Sequence, residues 1–262
     1  MREAIYAAVD CDSLMFDPIE MAETTERIVC SDDRRSYHRF RSARFYGGIS
    51  TADCVGCCLR CVFCWSWREA TNPQKHGSFF SPDDVARKLI AIAKSKGYRQ
   101  IRMSGNEPTI GREHLIRVIE LIPQEYLFIL ETNGILIGDD PTYAQELSVC
   151  RNLHVRVSLK GACEEEFTKL TGARPEGFQL QLRALQNLAR RGVRTHPACM
   201  VSFSLPENIR KLRSRLREIK PAFEDFEVEE LILYPAVEER LKRSGIEYLT
   251  SHRPERIPRE QI

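Results

Sequence analysis

From residue 81 onward the apolar positions of this chain switch between two habits. In some stretches they recur every three or four residues, which lines one face of a helix. In others they form short continuous runs, which suit a strand buried on both faces. Ser81-Pro82-Asp83-Asp84 predicts a helix start, with Ser81 as cap, Pro82 in the first turn and acids at the positive dipole end. Val85, Leu89, Ile92 and Ala93 give that helix an apolar face, and Gly97 stops it. Residues 99–104 read as a strand, 112–122 as a helix ended by Pro123, and 126–130 as a buried strand. A short helix fits 142–147, and a strand fits 154–159. The spacing of Phe178, Leu182, Leu185 and Leu188 predicts a long helix over 175–191, capped by Gly192. A strand around 198–201, a helix over 207–220 stopped by Pro221, and a strand over 228–234 complete the series.

With 44–50 as a first strand, the pattern amounts to about six βα repeats, where a closed barrel needs eight. Such alternation favours parallel strands with helices outside, and right-handed crossovers curve it into an open or partial barrel. The expected class is therefore α/β, organised as an N-terminal extension 1–43, a partial barrel 44–236 and a C-terminal extension 237–262. The first extension carries Cys11, Cys30 and a basic run over 34–41, read as a solvated face. The charged helix with Arg210, Lys211, Arg213, Arg215 and Arg217 is read the same way.

A net charge of +2 gives no global pull toward nucleic acid or membrane. Ten cysteines in an otherwise ordinary composition do not read as a secreted disulfide scaffold. Residues 1–10 lack a leader pattern and no apolar run reaches membrane length, so a cytoplasmic, non-membrane protein is expected.

The cysteines carry the chemistry. Cys57, Cys61 and Cys64 stand in a C-x3-C-x2-C spacing. Three thiolates that close can hold three irons of a cubane cluster and leave the fourth open for a substrate or cosubstrate. Cys54, Cys58 and Cys61 fit the same spacing. Zinc, a disulfide or buried thiols are the plainer alternatives, but there is no second CxxC pair for a zinc site. A four-cysteine electron-transfer cluster that includes Cys54 is the rival from another class.

The stretch resembles the cluster motif of the radical S-adenosylmethionine (radical SAM) superfamily. There the residue before the third Cys is an aromatic that lies near the adenine, and Phe63 satisfies this only in the 57/61/64 register. Many members have Asn after the first Cys, where this chain has Cys58. The resemblance spans roughly residues 44–236 and implies a partial (β/α)6 barrel. It also implies a [4Fe–4S] cluster on Cys57, Cys61 and Cys64, and S-adenosylmethionine as second cofactor. The implied activity is reductive cleavage to a 5′-deoxyadenosyl radical that abstracts a substrate hydrogen.

Three further segments resemble family motifs, most closely those of pyruvate formate-lyase activating enzyme-like proteins. Gly105-Asn106-Glu107-Pro108 resembles a Gly-Gly-Glu-Pro segment that contacts the cofactor's amino group, with Glu107 as acceptor. Thr132-Asn133-Gly134 resembles a Thr-Asn-Gly segment and implies a cofactor- or substrate-facing Thr132 or Asn133. Ser158-Leu159-Lys160 stands where those enzymes carry Asp-x-Lys. Lys160 would pair with the cofactor carboxylate and Ser158 with a ribose hydroxyl, with adenine near Met200 and Val201. The implied partners are a reductant such as flavodoxin or ferredoxin, and a substrate that is a protein, an RNA or a small molecule. Tyr37, Phe40, Phe45 and Tyr46 interleave with arginines, which would suit base stacking or a barrel floor.

Overall fold

The computed structural model describes residues 15–258, so Cys11 and the reading of residues 1–10 lie outside it. The described chain opens with α1 (Pro18–Val29), where the Asp17 side chain accepts the Ile19 amide. β1 (Cys30–Ser31), β2 (Arg34–Ala43) and β3 (Ile49–Cys54) follow as antiparallel neighbours. After α2 (Trp67–Thr71), β4 (Ser78–Phe80) pairs with the other side of β2. Then come α3 (Pro82–Lys96), β5 (Gln100–Ser104), α4 (Arg112–Leu121), β6 (Leu127–Thr132), α5 (Ile135–Asp139) and α6 (Pro141–Leu147). The chain continues through β7 (Leu153–Leu159), α7 (Glu164–Thr171), α8 (Glu176–Arg190), β8 (Thr195–Met200), α9 (Pro206–Ile219), β9 (Glu227–Glu229) and α10 (Pro235–Ser244). No described helix is long and apolar enough to cross a membrane.

Strands β3, β5, β6, β7, β8 and β9 are parallel neighbours in chain order. They form the six-stranded parallel part of a nine-stranded sheet, a partial barrel that does not close on itself among the described residues. The start of α3 follows its sequence signals: Ser81 accepts the Asp84 amide, and Gly97 ends the helix in the left-handed region.

The structure moves two strands. The first parallel strand is 49–54, not 44–50. Tyr46 and Gly48 both take positive φ, and Phe45–Gly47 form a helical turn that no strand can pass through. A Cβ on Gly48 would also strike the Tyr98 ring. The last strand stops at Glu229 because the chain then leaves β8 for new partners. Leu231 gives its amide to Ser202, and Leu233 gives its own to the His252 carbonyl.

The basic run 34–41 is a solvated face only in part, at Arg34, His38 and Arg39. It is most of β2, with Arg35 and Tyr37 fully buried. Tyr37 and Phe40 pack on Phe80, Phe45 lies under Arg102, and Tyr46 bonds Glu131, so all four interleaved rings are engaged within the chain.

Strand alternation gives the sheet two unlike faces. Ala52, Ile101, Met103, Phe128, Leu130, Val155 and Val157 are fully buried in the core shared with the helices. The opposite, inner face carries Asp53, Arg102, Glu131, Arg156, Glu227 and Glu229. Arg39 and Arg41 hold Asp53, Arg102 holds Glu131, and Arg156 holds both Glu227 and Glu229.

Candidate functional site

The candidate residues collect at one end of the sheet, just past the carboxyl ends of β3, β5, β6 and β7. That end is where parallel α/β folds place their sites. Residues 55–66, between β3 and α2, form a loop with no regular structure, and segments distant in sequence hold it. The Val62 amide bonds the Leu170 carbonyl at 2.8 Å, and the Arg60 amide bonds Thr171 at 3.1 Å. Arg240 of α10 donates to the carbonyls of Val62 and Cys64 and stacks on Trp67.

Asn106 closes the loop at both ends. Its Oδ1 accepts the Gly56 amide at 3.0 Å and its Nδ2 donates to the Ser66 carbonyl at 3.1 Å. The bracket depends on two successive residues in the left-handed region, Gly105 at φ 69° and Asn106 at φ 44°. Asn tolerates this better than most residues. A Cβ at Gly105 would lie 2.9 Å from the Asp53 Cα.

Cys57, Cys61 and Cys64 sit on this loop, with Cys57 and Cys61 buried and Cys64 half-buried. Burial pushes the Cys61 thiol up, and it pushes Cys64 up to about 11, while Lys160 pulls against burial at both. Cys57 is held below the usual thiol range because the Cys58 thiol donates to it. Lys160 is half-buried; burial works against its charge, but Glu229 and Cys61 hold it above the ordinary lysine value. Cys54 instead faces Arg35 and Tyr37, and burial raises it to about 11. The donor set fits a cluster: three thiols on one loop, with a lysine opposing their negative charge. Among the described residues no three ligands close on a single ion. A cubane takes one thiolate per iron, so its ligands stand apart.

Three of the expected contact residues have partners within the chain. Glu107 is fully buried, and both its carboxylate oxygens are bonded within the chain. Oε1 takes the Thr109 amide, the Thr109 hydroxyl and the Thr132 hydroxyl, at 3.1, 2.7 and 2.6 Å; Oε2 takes the Asn133 amide at 2.8 Å. A buried carboxylate demands such donors. Thr132 is spent on Glu107 and on the Gly134 amide. The Asn133 side chain points at sulfur, with Nδ2 3.2 Å from Cys58 Sγ. Ser158 accepts from Arg156 at 2.9 Å and keeps its own hydroxyl proton to give. Phe63 stacks on Phe203, with ring centroids 5.5 Å apart, beside an apolar cluster that includes Met200.

Sequence reasoning missed three residues. Arg35 is fully buried and donates to the carbonyls of Glu107 at 2.7 Å and Val55 at 3.4 Å, joining two site loops. Gln181 of α8 donates to the carbonyls of Asn133 and Ser158 and accepts the Lys160 amide. Its signal was legible, since it is a polar residue inside the apolar stripe of that helix. Arg240 gave no signal.

A six-stranded partial α/β barrel with a three-cysteine loop at the carboxyl ends of its strands defines a cluster-binding class of protein. The sequence model of the Radical SAM superfamily matches residues 53–219, and the chain belongs to that family. With membership come its cofactors, a [4Fe–4S] cluster and S-adenosylmethionine. The chain is 35% identical over 117 residues to a Methanococcus maripaludis protein named "Probable GTP 3',8-cyclase", covering 44% of this chain and 37% of that one. It is 31% identical over 117 residues to the GTP 3',8-cyclase of Clostridium perfringens, covering 44% and 35%. The chain thus spans little over a third of the length of these relatives. Among solved structures, Streptococcus suis SuiB bound to precursor peptide SuiA aligns with a TM-score of 0.56 at 19% identity. That alignment covers 70% of this chain and 38% of SuiB, and shows the fold.

Proposed function

We propose that this chain reductively cleaves S-adenosylmethionine and abstracts a hydrogen from a polar substrate held against the inner face of the sheet. The observation that carries the reading is the pinned loop of Cys57, Cys61 and Cys64 with Lys160 facing it. A reduced [4Fe–4S] cluster would supply the electron that bound S-adenosylmethionine accepts in that cleavage. Cys57, Cys61 and Cys64 hold the cluster. Lys160 pairs with the cofactor carboxylate, the backbone of Gly105 and Asn106 meets its amino group, and Ser158 bonds the ribose. Phe63, Phe203 and Met200 form an apolar wall for the adenine and keep water from it. The electron comes from a flavodoxin- or ferredoxin-like donor.

The ion-paired inner face favours a polar substrate, because an apolar one would strip water from charges and give nothing back. The relatives' names agree in kind, one naming GTP and the other a peptide. A second reading, a glycyl-radical activase acting on a partner protein, rests on Thr132-Asn133-Gly134 and Ser158-Leu159-Lys160.

The test is an anaerobic assay of reconstituted, reduced chain with S-adenosylmethionine, following 5′-deoxyadenosine by mass spectrometry. Production lost in Cys61→Ala and kept in Cys54→Ala is expected. A cluster lost in Cys54→Ala, with no cofactor binding in the unaltered chain, would sink the reading in favour of four-cysteine ligation.

A further inference from the structure

Between residues 54 and 64 two cysteines fall outside the C-x3-C-x2-C set. Cys54 ends β3 and is taken up by Arg35 and Tyr37. Cys58 is fully buried within the loop, beside a proposed ligand and under a side-chain amide. Nδ2 of Asn133 lies 3.2 Å from Cys58 Sγ and 3.8 Å from Cys57 Sγ. Cys58 adjoins Cys57 in the chain, and the Cys57 sulfur also takes the Leu59 amide at 3.4 Å.

Asn133 cannot easily turn away. Its Oδ1 accepts the Ile135 amide at 3.0 Å, its amide donates to Glu107 at 2.8 Å, and its carbonyl accepts Gln181 Nε2 at 2.6 Å. With Oδ1 fixed, Nδ2 must face the sulfurs. Asn133 and Cys58 are buried, and a donor aimed at sulfur in a dry site acts more strongly than in water.

Resting on the function proposed above, we infer that Asn133 and Cys58 form a hydrogen-bond relay onto the Cys57 sulfur that raises the reduction potential of the cluster this chain holds. Hydrogen bonds to a ligating sulfur draw electron density from it and stabilise the reduced, more negative cluster. Both are positioning residues, since they act through Cys57. The relay makes the cluster easier to reduce, and it gives Cys58 a role without making it a ligand.

The experiment is a potentiometric titration of the anaerobically reconstituted chain, read by the electron paramagnetic resonance signal of the reduced cluster. Cys58→Ala removes the second donor. Asn133→Ser removes the amide donor while its hydroxyl still accepts the Ile135 amide. Both are expected to keep the native iron content and to shift the midpoint potential downward. Cys58→Ser, which retains an O–H donor, is expected to stay nearer the unaltered chain. An unchanged midpoint in Cys58→Ala and Asn133→Ser would overturn the relay. Loss of cluster iron from Cys58→Ala, with circular dichroism intact, would overturn it too by making Cys58 a ligand. Failure of the underlying function would look different. S-adenosylmethionine would leave the resonance signal of the unaltered chain unmoved, whatever the variants' potentials.

Discussion

The two faces of the parallel sheet keep the chain folded by opposite means. On the outer face, Phe128, Leu130, Val155 and Val157 are fully buried among apolar neighbours. Each contributes through the area it hides and the volume it fills. On the inner face, Arg156 gives Nη2 to Glu227 and Nη1 to Glu229, both at 2.7 Å, with its side chain only 7% exposed. Its contribution depends on having partners. A site that must admit a polar substrate cannot be filled like an ordinary core, so its wall is stabilised by mutual charge neutralisation. An outer position therefore tolerates changed chemistry of equal volume, whereas an inner one tolerates neither partner's removal.

The largest expected effect tests that contrast directly. Leu130→Met keeps volume on the outer face and should cost less than about 1.5 kcal/mol. Arg156→Met removes the cation shared by Glu227 and Glu229, though Glu227 keeps His196 and Glu229 keeps Lys160. It should cost about 3 kcal/mol, the low end for a broken buried pair. Adding Glu227→Gln and Glu229→Gln to Arg156→Met should recover part of that loss, because the two carboxylates then carry no charge, while Lys160 loses Glu229. Urea denaturation of the cluster-free chain measures all three. Equal costs for Leu130→Met and Arg156→Met would break the contrast.

The next effect concerns protons, and here the faces agree. On the outer side, His114 is buried between the Tyr37 hydroxyl at 2.9 Å and the Asp33 carbonyl at 2.7 Å. Burial pushes its pKa down to about 4. On the inner side, burial and then the charge of His196, 2.6 Å away, push His154 to about 4. A lowered pKa on a base means that the unfolded chain takes up the proton first. Stability is therefore full above the ordinary value near 6.5 and falls as the pH drops toward 4. For His114 the loss should approach roughly 3 kcal/mol at pH 4. Denaturation midpoints across that range should slope downward on acidification, and His114→Gln should flatten part of the slope. A slope unchanged in that variant would mean that His114 is not held neutral by the fold.

The same contrast explains what the sequence disclosed. Helix limits and the outer face were readable because caps and apolar spacing are local signals: Ser81, Gly97 and the stripe of α8 act where they stand. The inner face was not readable. Arg102 and Arg156 alternate with apolar neighbours just as solvent-facing residues do, and alternation does not distinguish water from the inside of a barrel. Part of the basic run over 34–41 misled for that reason, since its partner Asp53 lies on another strand. In the candidate site the cysteine spacing, the Gly-Asn-Glu-Pro turn and Lys160 were legible. The direction of the Glu107 and Asn133 side chains was not, because Thr109, Thr132, Cys58 and Gln181 decide it together. Arg240 reaches the cysteine loop from 176 residues away, a distance that leaves no mark on either segment.

The smallest expected effect lies where the inner face meets solvent. Arg39 and Arg41 both bond Asp53, at 2.6 and 2.7 Å, but Arg39 is 44% exposed and Arg41 only 27%. Asp53 itself is buried, so its charge needs a partner, and Arg41 gives it both Nε and Nη2. Removing Arg39 leaves that two-point grip in place and costs one half-exposed pair, worth less than about 1 kcal/mol. Arg41→Ala should cost more, because the remaining partner is the more exposed one and makes a single bond to Asp53. Chemical denaturation of the two variants side by side, at low and moderate salt, measures the difference. If Arg39→Ala proves as damaging as Arg41→Ala, charge pairing on this face does not weaken toward the rim, and the inner wall behaves as one network to its edge.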